Sequence, residues 1–307
     1  MIELFARSPK MREAVSLAER VSATDANVLI TGESGAGKDL LATFIHSKSR
    51  RATQPFVKID CATLPGELLE AELFGYERGA FTGAVEARPG RFEAAQKGTI
   101  VLDEIAHLST DAQAKLLRVI ERREFERLGG RRTIKLDARL LALTNVDLDA
   151  AVKAGRFRED LFYRLNVINV RVPSLRERKP DLSQLIQFFV KQYAAKHARK
   201  VDRVSPPALA LLKAYDYPGN ARELANAIER AIIVVTGRVI DEHDLPAGLS
   251  AAVTAQRQKE QPPSLAEMEA TYIAEVLSAT RGNKTECARI LGISRKNLYE
   301  KIARYKI

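Results

Sequence analysis

The period of the apolar residues changes twice along this chain. From Asn27 to about Pro173, short apolar runs alternate with amphipathic stretches. The runs "NVLIT" (27–31), "FVKID" (56–60), "TIVLD" (99–103), "ARLLALT" (138–144) and "VINVRV" (167–172) read as strands. Segments 38–48, 65–74, 109–122 and 159–164 read as helices between them. This alternation predicts an α/β fold with a parallel sheet covered on both faces. From Leu182 to about Gly237 the period is helical throughout, which predicts a small helical subdomain. Residues 246–263, "PAGLSAAVTAQRQKEQPP", lose the period and read as a linker. The pattern becomes helical again from Ser264 to Ile307. The expected division is 1–178, 179–247, a linker 248–263 and a terminal domain 264–307.

Two strand ends carry the chemistry of a phosphate site. "GESGAGKD" (32–39) follows an apolar strand and opens a helix, the setting in which G-x-x-x-x-G-K cradles phosphates. Gly32, Glu33, Ser34, Gly35, Ala36 and Gly37 would wrap the phosphates with backbone N–H groups. Lys38 would reach the β- and γ-phosphates. A Ser or Thr normally follows the lysine and helps to hold magnesium; here the residue is Asp39. "GTIVLDEIAHL" (98–108) runs four apolar residues into Asp103-Glu104. Asp103 suits a magnesium shell and Glu104 suits polarising the attacking water. On an extended chain the two side chains would point apart, one to the metal and one to the γ-phosphate. "LLALTN" (140–145) ends in Asn145, suited to orienting that water. Arg158 and Arg164 in "GRFREDLFYRLN" read either as a solvated face or as fingers reaching a neighbouring subunit's γ-phosphate. Arg222 in "YPGNAREL" could reach the nucleotide from the helical subdomain, with Pro218-Gly219-Asn220 as a turn and N-cap signal.

Between these two nucleotide motifs lies "RGAFTGA" (78–84). Its paired glycines argue against a regular element. Either Phe81 anchors a turn to the core, or the loop Gly79, Ala80, Phe81, Thr82, Gly83 and Ala84 is presented to a partner. Composition narrows the classes. The 307 residues are 46% hydrophobic and 29% charged, an ordinary globular balance. The start has charges throughout and no apolar h-region, so it does not read as a secretory signal. No run approaches the roughly 18 apolar residues of a membrane span. Cys61 and Cys287 have no metal spacing and read as reduced thiols of a cytoplasmic protein. The net charge of +10 favours an anionic partner without choosing among nucleotide, nucleic acid and membrane.

Charge becomes informative locally. From Arg281 onward there are eight Lys/Arg against two Glu. "NKTECARILGISRKNLYEKIARY" (283–305) fits a helix-turn-helix: Ala288 for close helix approach, Gly292 for the turn, Leu298 packed inward and Ser294 as a cap. The second helix would offer Arg295, Lys296, Asn297, Tyr299 and Lys301 to a DNA major groove and its phosphates. A plain helical hairpin with a basic solvated face is the alternative.

Together these motifs resemble an AAA+ ATPase, and in detail the bacterial enhancer-binding proteins that activate sigma-54 RNA polymerase. The resemblance rests on "GESGAGKD", "ELFGYERGAFTGA", "GRFEAAQKGTIVLDEI", "QAKLLRVIERREFERLGG", "FREDLFYRLNV", "PSLRER" and "YPGNAREL", in that order. It covers the chain from Ser8 to the C-terminus, where the last segment resembles a Fis-type module. The resemblance implies a doubly wound AAA+ domain with a helical lid, ATP and Mg2+, and a ring, usually a hexamer. It implies that the GAFTGA loop touches sigma-54, and that 264–279 supplies a dimer helix for enhancer DNA. By position, Lys38 becomes a phosphate ligand, Asp103 a magnesium ligand, Glu104 the catalytic base, Asn145 the sensor, Arg222 the lid sensor, and Arg158 and Arg164 the inter-subunit arginines.

Four residues at three sites depart from the family pattern. Ala36 and Asp39 stand where G-T-G-K-E is usual, and Tyr217 where Trp is usual. Asp60 stands where Asn often holds the catalytic glutamate from water; near Glu104 it would add like charge and alter coupling between target engagement and hydrolysis. Two other classes are the alternatives. A DNA-binding regulator using nucleotide only for assembly would need neither Asp103-Glu104 nor the loop, and other AAA+ machines have no use for GAFTGA. The ATPase pattern begins almost at Met1, where many members carry a receiver or sensing domain. Control by a partner in trans or a trimmed chain would each account for that.

Overall fold

The computed structural model describes residues 4–251, 253 and 264–305, and the chain divides after Leu249 into two compact units. In the first, the five apolar runs become parallel strands: β1 (Val28–Thr31), β2 (Phe56–Asp60), β3 (Thr99–Asp103), β4 (Arg139–Thr144) and β5 (Ile168–Arg171). Their order is β2-β3-β4-β1-β5. In the central strands β1, β3 and β4 alternate residues feed two cores, which is why they read as continuous apolar runs. Val28, Ile30, Leu141 and Leu143 pack with α1 (Pro9–Ser22) and α2 (Lys38–Ser47). Leu29, Leu102, Leu140 and Ala142 pack with α3 (Gly66–Phe74), α4 (Thr110–Arg122) and α5 (Glu159–Leu165) on the other face. The register sets Asp60 opposite Asp103 and Thr31 opposite Thr144, so the loops that follow share one edge of the sheet.

Helix α1 lies ahead of the first run in the sequence pattern. Ser8 accepts from the Met11 N–H, Pro9 opens the first turn, and Met11, Ala14, Ala18 and Val21 form the buried stripe. The lid is made by α6 (Leu182–Lys196), α7 (Pro206–Ala214) and α8 (Asn220–Val234) around one apolar cluster. Tyr217 is fully buried there; its hydroxyl donates to the Leu212 carbonyl at 2.7 Å, so a smaller ring than the family's Trp fills the site with its polar end satisfied. Asp181, also fully buried, accepts from the N–H groups of Arg7 (2.6 Å) and Ser8 (2.8 Å) and from the Ser8 hydroxyl (3.0 Å). The stretch read as a linker starts as part of the lid: residues 247–251 are helical and Leu249 joins Leu245 in the lid core. Residues 252 and 254–263 of that stretch lie outside the described residues.

The second unit contains α9 (Leu265–Ala279), α10 (Lys284–Ile290) and α11 (Arg295–Tyr305). Ile273, Val276, Cys287, Ala288 and Leu298 form its core. Gly292 turns the chain with φ +66°, and the Ser294 hydroxyl accepts from the Asn297 N–H at 3.2 Å.

Candidate functional site

The β1–α2 loop curls over the N-terminus of α2. Gly35 has φ +72°, and a side chain there would collide with the Gly219 carbonyl of the lid. Lys38 is nearly buried; its ammonium donates to the carbonyls of Gly32 (2.9 Å) and Glu33 (3.4 Å) and lies 3.7 Å from the Glu104 carboxylate. The other Glu104 oxygen accepts the backbone N–H of Asn145 at 3.3 Å. The ends of β1, β3 and β4 thus bring Lys38, Glu104 and Asn145 together at the carboxyl edge of the sheet, where such folds bind ligands.

The acidic pair diverges for a different reason from the expected extended alternation. The strand stops at Asp103, Glu104 takes the left-handed region with φ +50°, and a 3-10 turn (Ile105–His107) follows. The Asp103 carboxylate accepts the Glu104 N–H at 3.0 Å, which holds this turn. Glu104 is thereby directed to Lys38 and Asn145, and Asp103 to Lys58.

Lys58 was not singled out in the sequence. It occupies an outward position of β2, and its ammonium lies 2.5 Å from Asp39 and 2.8 Å from Asp103. Burial pulls this ammonium towards neutrality, but the hydrogen bonds to Asp103 and Asp39 outweigh it, and its pKa is raised. Asp39 and Asp103 therefore form a two-carboxylate oxygen site already bridged by one cation. That donor set fits Mg2+, which is commonly held by one or two carboxylates with phosphates completing the shell. No cluster of three or more His, Cys, Asp or Glu suited to a metal occurs among the described residues. Asp60 accepts the Ala62 N–H at 2.9 Å. Between these acids the Cys61 thiol is pushed up to about 12, chiefly by burial and then by the charges of Asp60, Asp103 and Glu104.

The lid grips the phosphate loop directly. Within the turn and N-cap signal 218–220, Gly219 holds the cap position of α8, and the Glu223 side chain accepts the Gly219 N–H at 2.7 Å. Asn220 is fully buried with φ +55°. Its amide donates to the Ser34 carbonyl and to Glu33, both at 3.0 Å, and its oxygen accepts the Leu175 N–H at 2.7 Å. Arg222 donates to the Ser34 hydroxyl at 2.9 Å. Arg176 forms a two-pronged ion pair with Glu33, and buried Arg178 donates to the Ala36 carbonyl at 2.6 Å. The hydrogen bonds to Asn220 and Arg176 lower the Glu33 pKa. Arg158 is paired with Asp160 at 2.8 Å and Arg164 with Glu121 at 3.2 Å, both well exposed.

The 78–84 loop projects from a two-residue antiparallel pairing of Gly75–Tyr76 with Arg88–Pro89. Gly79 and Gly83 have φ +81° and +109°, and Gly79 N–H donates to the Ala84 carbonyl at 2.8 Å. Ala84 is buried while Thr82 is exposed. Phe81 combines the two expected roles: its ring lies edge-on against Tyr76 at 5.0 Å and is still 39% exposed. In the second unit Arg295, Lys296 and Asn297 are exposed on α11, and Tyr299 carries the Lys284 ammonium over its ring at 4.7 Å. Lys301 differs from expectation. It is turned back to Glu269 of α9 at 2.7 Å, alongside the Tyr305 hydroxyl, which donates to the same carboxylate.

Comparison with known proteins gives three successive matches: the sigma-54 interaction domain over residues 4–171, the AAA+ ATPase lid domain over 176–262, and the bacterial regulatory protein, Fis family, over 264–305. The chain is 46% identical to the regulatory protein AtoC of Escherichia coli K12, over 99% of this chain and 68% of that protein. It is also 46% identical to the transcriptional regulatory protein ZraR of the same organism, over 98% of this chain and 68% of that protein. Among solved structures it resembles NtrX of Brucella abortus in complex with ATP, with a TM-score of 0.76 and 33% identity over 100% of this chain and 70% of that one.

Proposed function

The chain belongs to the sigma-54-dependent transcriptional activators, an AAA+ ATPase with a Fis-type DNA-binding domain, and from that premise we propose how its residues divide the work. The observation that carries the proposal is the convergence of Lys38, Glu104 and the Asn145 N–H at one sheet edge, with Asp103 and Asp39 beside them. The N–H groups of residues 32–38 and the start of α2 bind the phosphates of ATP. Lys38 neutralises charge on the β- and γ-oxygens. Glu104 accepts a proton from the attacking water, and Asn145 orients that water. Asp103 and Asp39 would hold Mg2+, which when bound would supply charge neutralisation across the phosphates. Arg222 reads the nucleotide from the lid.

Arg158 and Arg164 reach a neighbouring subunit's site in a ring, leaving Asp160 and Glu121 to do so. The exposed Arg164 on this short helix and the partly exposed Arg158 side chain at its N-cap support that reading. Gly79 and Gly83 let the loop rise, and Phe81 and Thr82 then meet sigma-54 of the closed polymerase complex, driving it to the open complex. Arg295, Lys296, Asn297 and Tyr299 contact enhancer DNA in the cytoplasm. Exposed Leu265, Met268 and Tyr272 follow one stripe of α9, which supports a dimer helix. A transcription assay with sigma-54 polymerase, ATP and a melting-resistant promoter tests the whole. Wild type gives open complexes, and Lys38→Ala, Glu104→Gln and Thr82→Ala do not. Activity surviving both Glu104→Gln and Thr82→Ala overturns the proposal.

A further inference from the structure

Lys58 is the side chain at this site that the ATPase reading leaves without a task. Its ammonium sits between Asp39, in the first turn of α2, and Asp103, at the end of β3. These two elements also meet at their other ends, where His46 and Thr99 lie 2.9 Å apart; at this end β2 brings the lysine to them because Lys58 precedes Asp60 by two residues on the same strand. Asp39 is also the position where a hydroxyl would normally sit. A carboxylate there makes a negative pair with Asp103, and a negative pair this close requires a cation. The ammonium and a divalent ion seek the same oxygens, so they are competitors.

We propose that Lys58 is an intramolecular stand-in for the divalent cation: it holds Asp39 and Asp103 together in the nucleotide-free protein and must yield them when metal-bound nucleotide arrives. Its half-exposed position and flexible four-carbon stem give the ammonium room to swing into solvent. Lys58 is a positioning residue in this account and touches neither phosphate nor water. Its presence weakens metal binding, so the site charges fully only when nucleotide phosphates add their own negative charge. The consequence is an ATPase domain that takes up metal with nucleotide and resists free cation alone. This inference rests on Asp39 and Asp103 being the metal-holding pair of the proposed function.

Mn2+ is the probe, with free ion counted by its paramagnetic resonance signal in titrations of the full chain with and without ADP. Replacing Lys58 by Met removes the competitor, and Mn2+ then binds the nucleotide-free protein about tenfold more tightly, as expected for loss of two partly exposed ion pairs. Lys58→Arg keeps the charge and retains wild-type affinity. Thermal melts in chelator confirm that both variants fold, with Lys58→Met regaining stability on addition of Mn2+. Equal Mn2+ affinity in wild type and Lys58→Met overturns the inference, as does Lys58→Arg tightening binding as much as Met. Failure of wild type to bind Mn2+ even with ADP would instead sink the assignment of Asp39 and Asp103 to the metal, and the inference with it.

Discussion

Asn220 offers the sharpest test of how the lid controls the phosphate loop. Replacing it by Ala removes three hydrogen bonds at once: one accepted from the Leu175 N–H and two donated to Ser34 and Glu33. Leu175 is fully buried, so its N–H is left without a partner, at a cost of about 1–3 kcal/mol. Asn220 also holds φ +55°, a region that asparagine tolerates and alanine resists by about 1 kcal/mol. The sum is about 2–4 kcal/mol. For a unit of this size it lowers the unfolding midpoint by roughly 4–16 °C. Asn220→Gly separates the two contributions, since it loses the same hydrogen bonds without the backbone strain and melts above Asn220→Ala. Asn220→Asp keeps the acceptor for Leu175 but sets a carboxylate against Glu33, so it loses nucleotide affinity more than stability. The assays are calorimetric melting and titration with ATP. An Asn220→Ala protein that melts with wild type and binds ATP equally well refutes the claim that this side chain locks lid to loop.

Three further outcomes follow from the geometry. Asp60→Asn keeps an acceptor for the Ala62 N–H but removes one charge from the group around Cys61; the ratio of sigma-54-stimulated to basal ATP turnover shifts, and unchanged turnover in both conditions refutes a coupling role. Arg295→Ala and Lys296→Ala weaken operator binding and each reduce the salt slope by about one. Lys301→Ala, whose charge is spent on Glu269, instead lowers the melting point of the C-terminal unit; equal slope losses from all three would refute that division. Glu177 is held at about 2, below its ordinary 4.5, chiefly by the Lys10 ammonium and also by Ser174 and Arg171. Its folded value lies below its unfolded one, so its stabilising contribution is full above 4.5 and fades as pH falls towards about 2. The advantage of wild type over Glu177→Gln in urea melts shrinks across that window, and parallel acid titrations of the two proteins would refute it.

The central strands β1, β3 and β4 were legible because each is buried on both faces, and burial on both faces leaves an uninterrupted apolar run. Helix α1 carried a readable signal, Ser8-Pro9 before a stripe at 11, 14, 18 and 21, but it precedes the first strand and has no alternation to frame it. Lys38, Asp103 and Glu104 were legible because their chemistry is local to a strand end. Lys58 and Asn220 were not. A lysine at an outward strand position looks like solvated surface, and its role depends on Asp39 and Asp103, brought to it by sheet order. Asn220 looks like a cap, and its partners Ser34 and Glu33 lie 186 and 187 residues away. Asp103 and Glu104 do point apart, but the cause is local: the turn begins one residue earlier than an extended reading assumes.

The distance between the acids and the loop is bridged by a single element. Asp60 lies in register with Asp103, and the Cys61 N–H donates to the Asp103 carbonyl at 2.9 Å, so the end of β2 cannot shift without the end of β3. Five residues after Cys61 the chain enters α3, and Phe74 at its far end is buried against Phe92 and Phe125. Gly75 and Tyr76 follow without a break, and the Tyr76 ring is the surface on which Phe81 rests. A helix transmits displacement along its axis because its hydrogen bonds resist extension, whereas loops absorb it. The acidic strand end and the GAFTGA loop are thus joined through the short turn 61–65 and one helix, α3, with an aromatic latch at its tip. Release of Phe81 from Tyr76 breaks an edge-on ring contact of about 1 kcal/mol beyond the apolar area it covers, and the residue is already 39% exposed. That is small beside the free energy of nucleotide binding, so a loop held this weakly is fit to follow the state of the site.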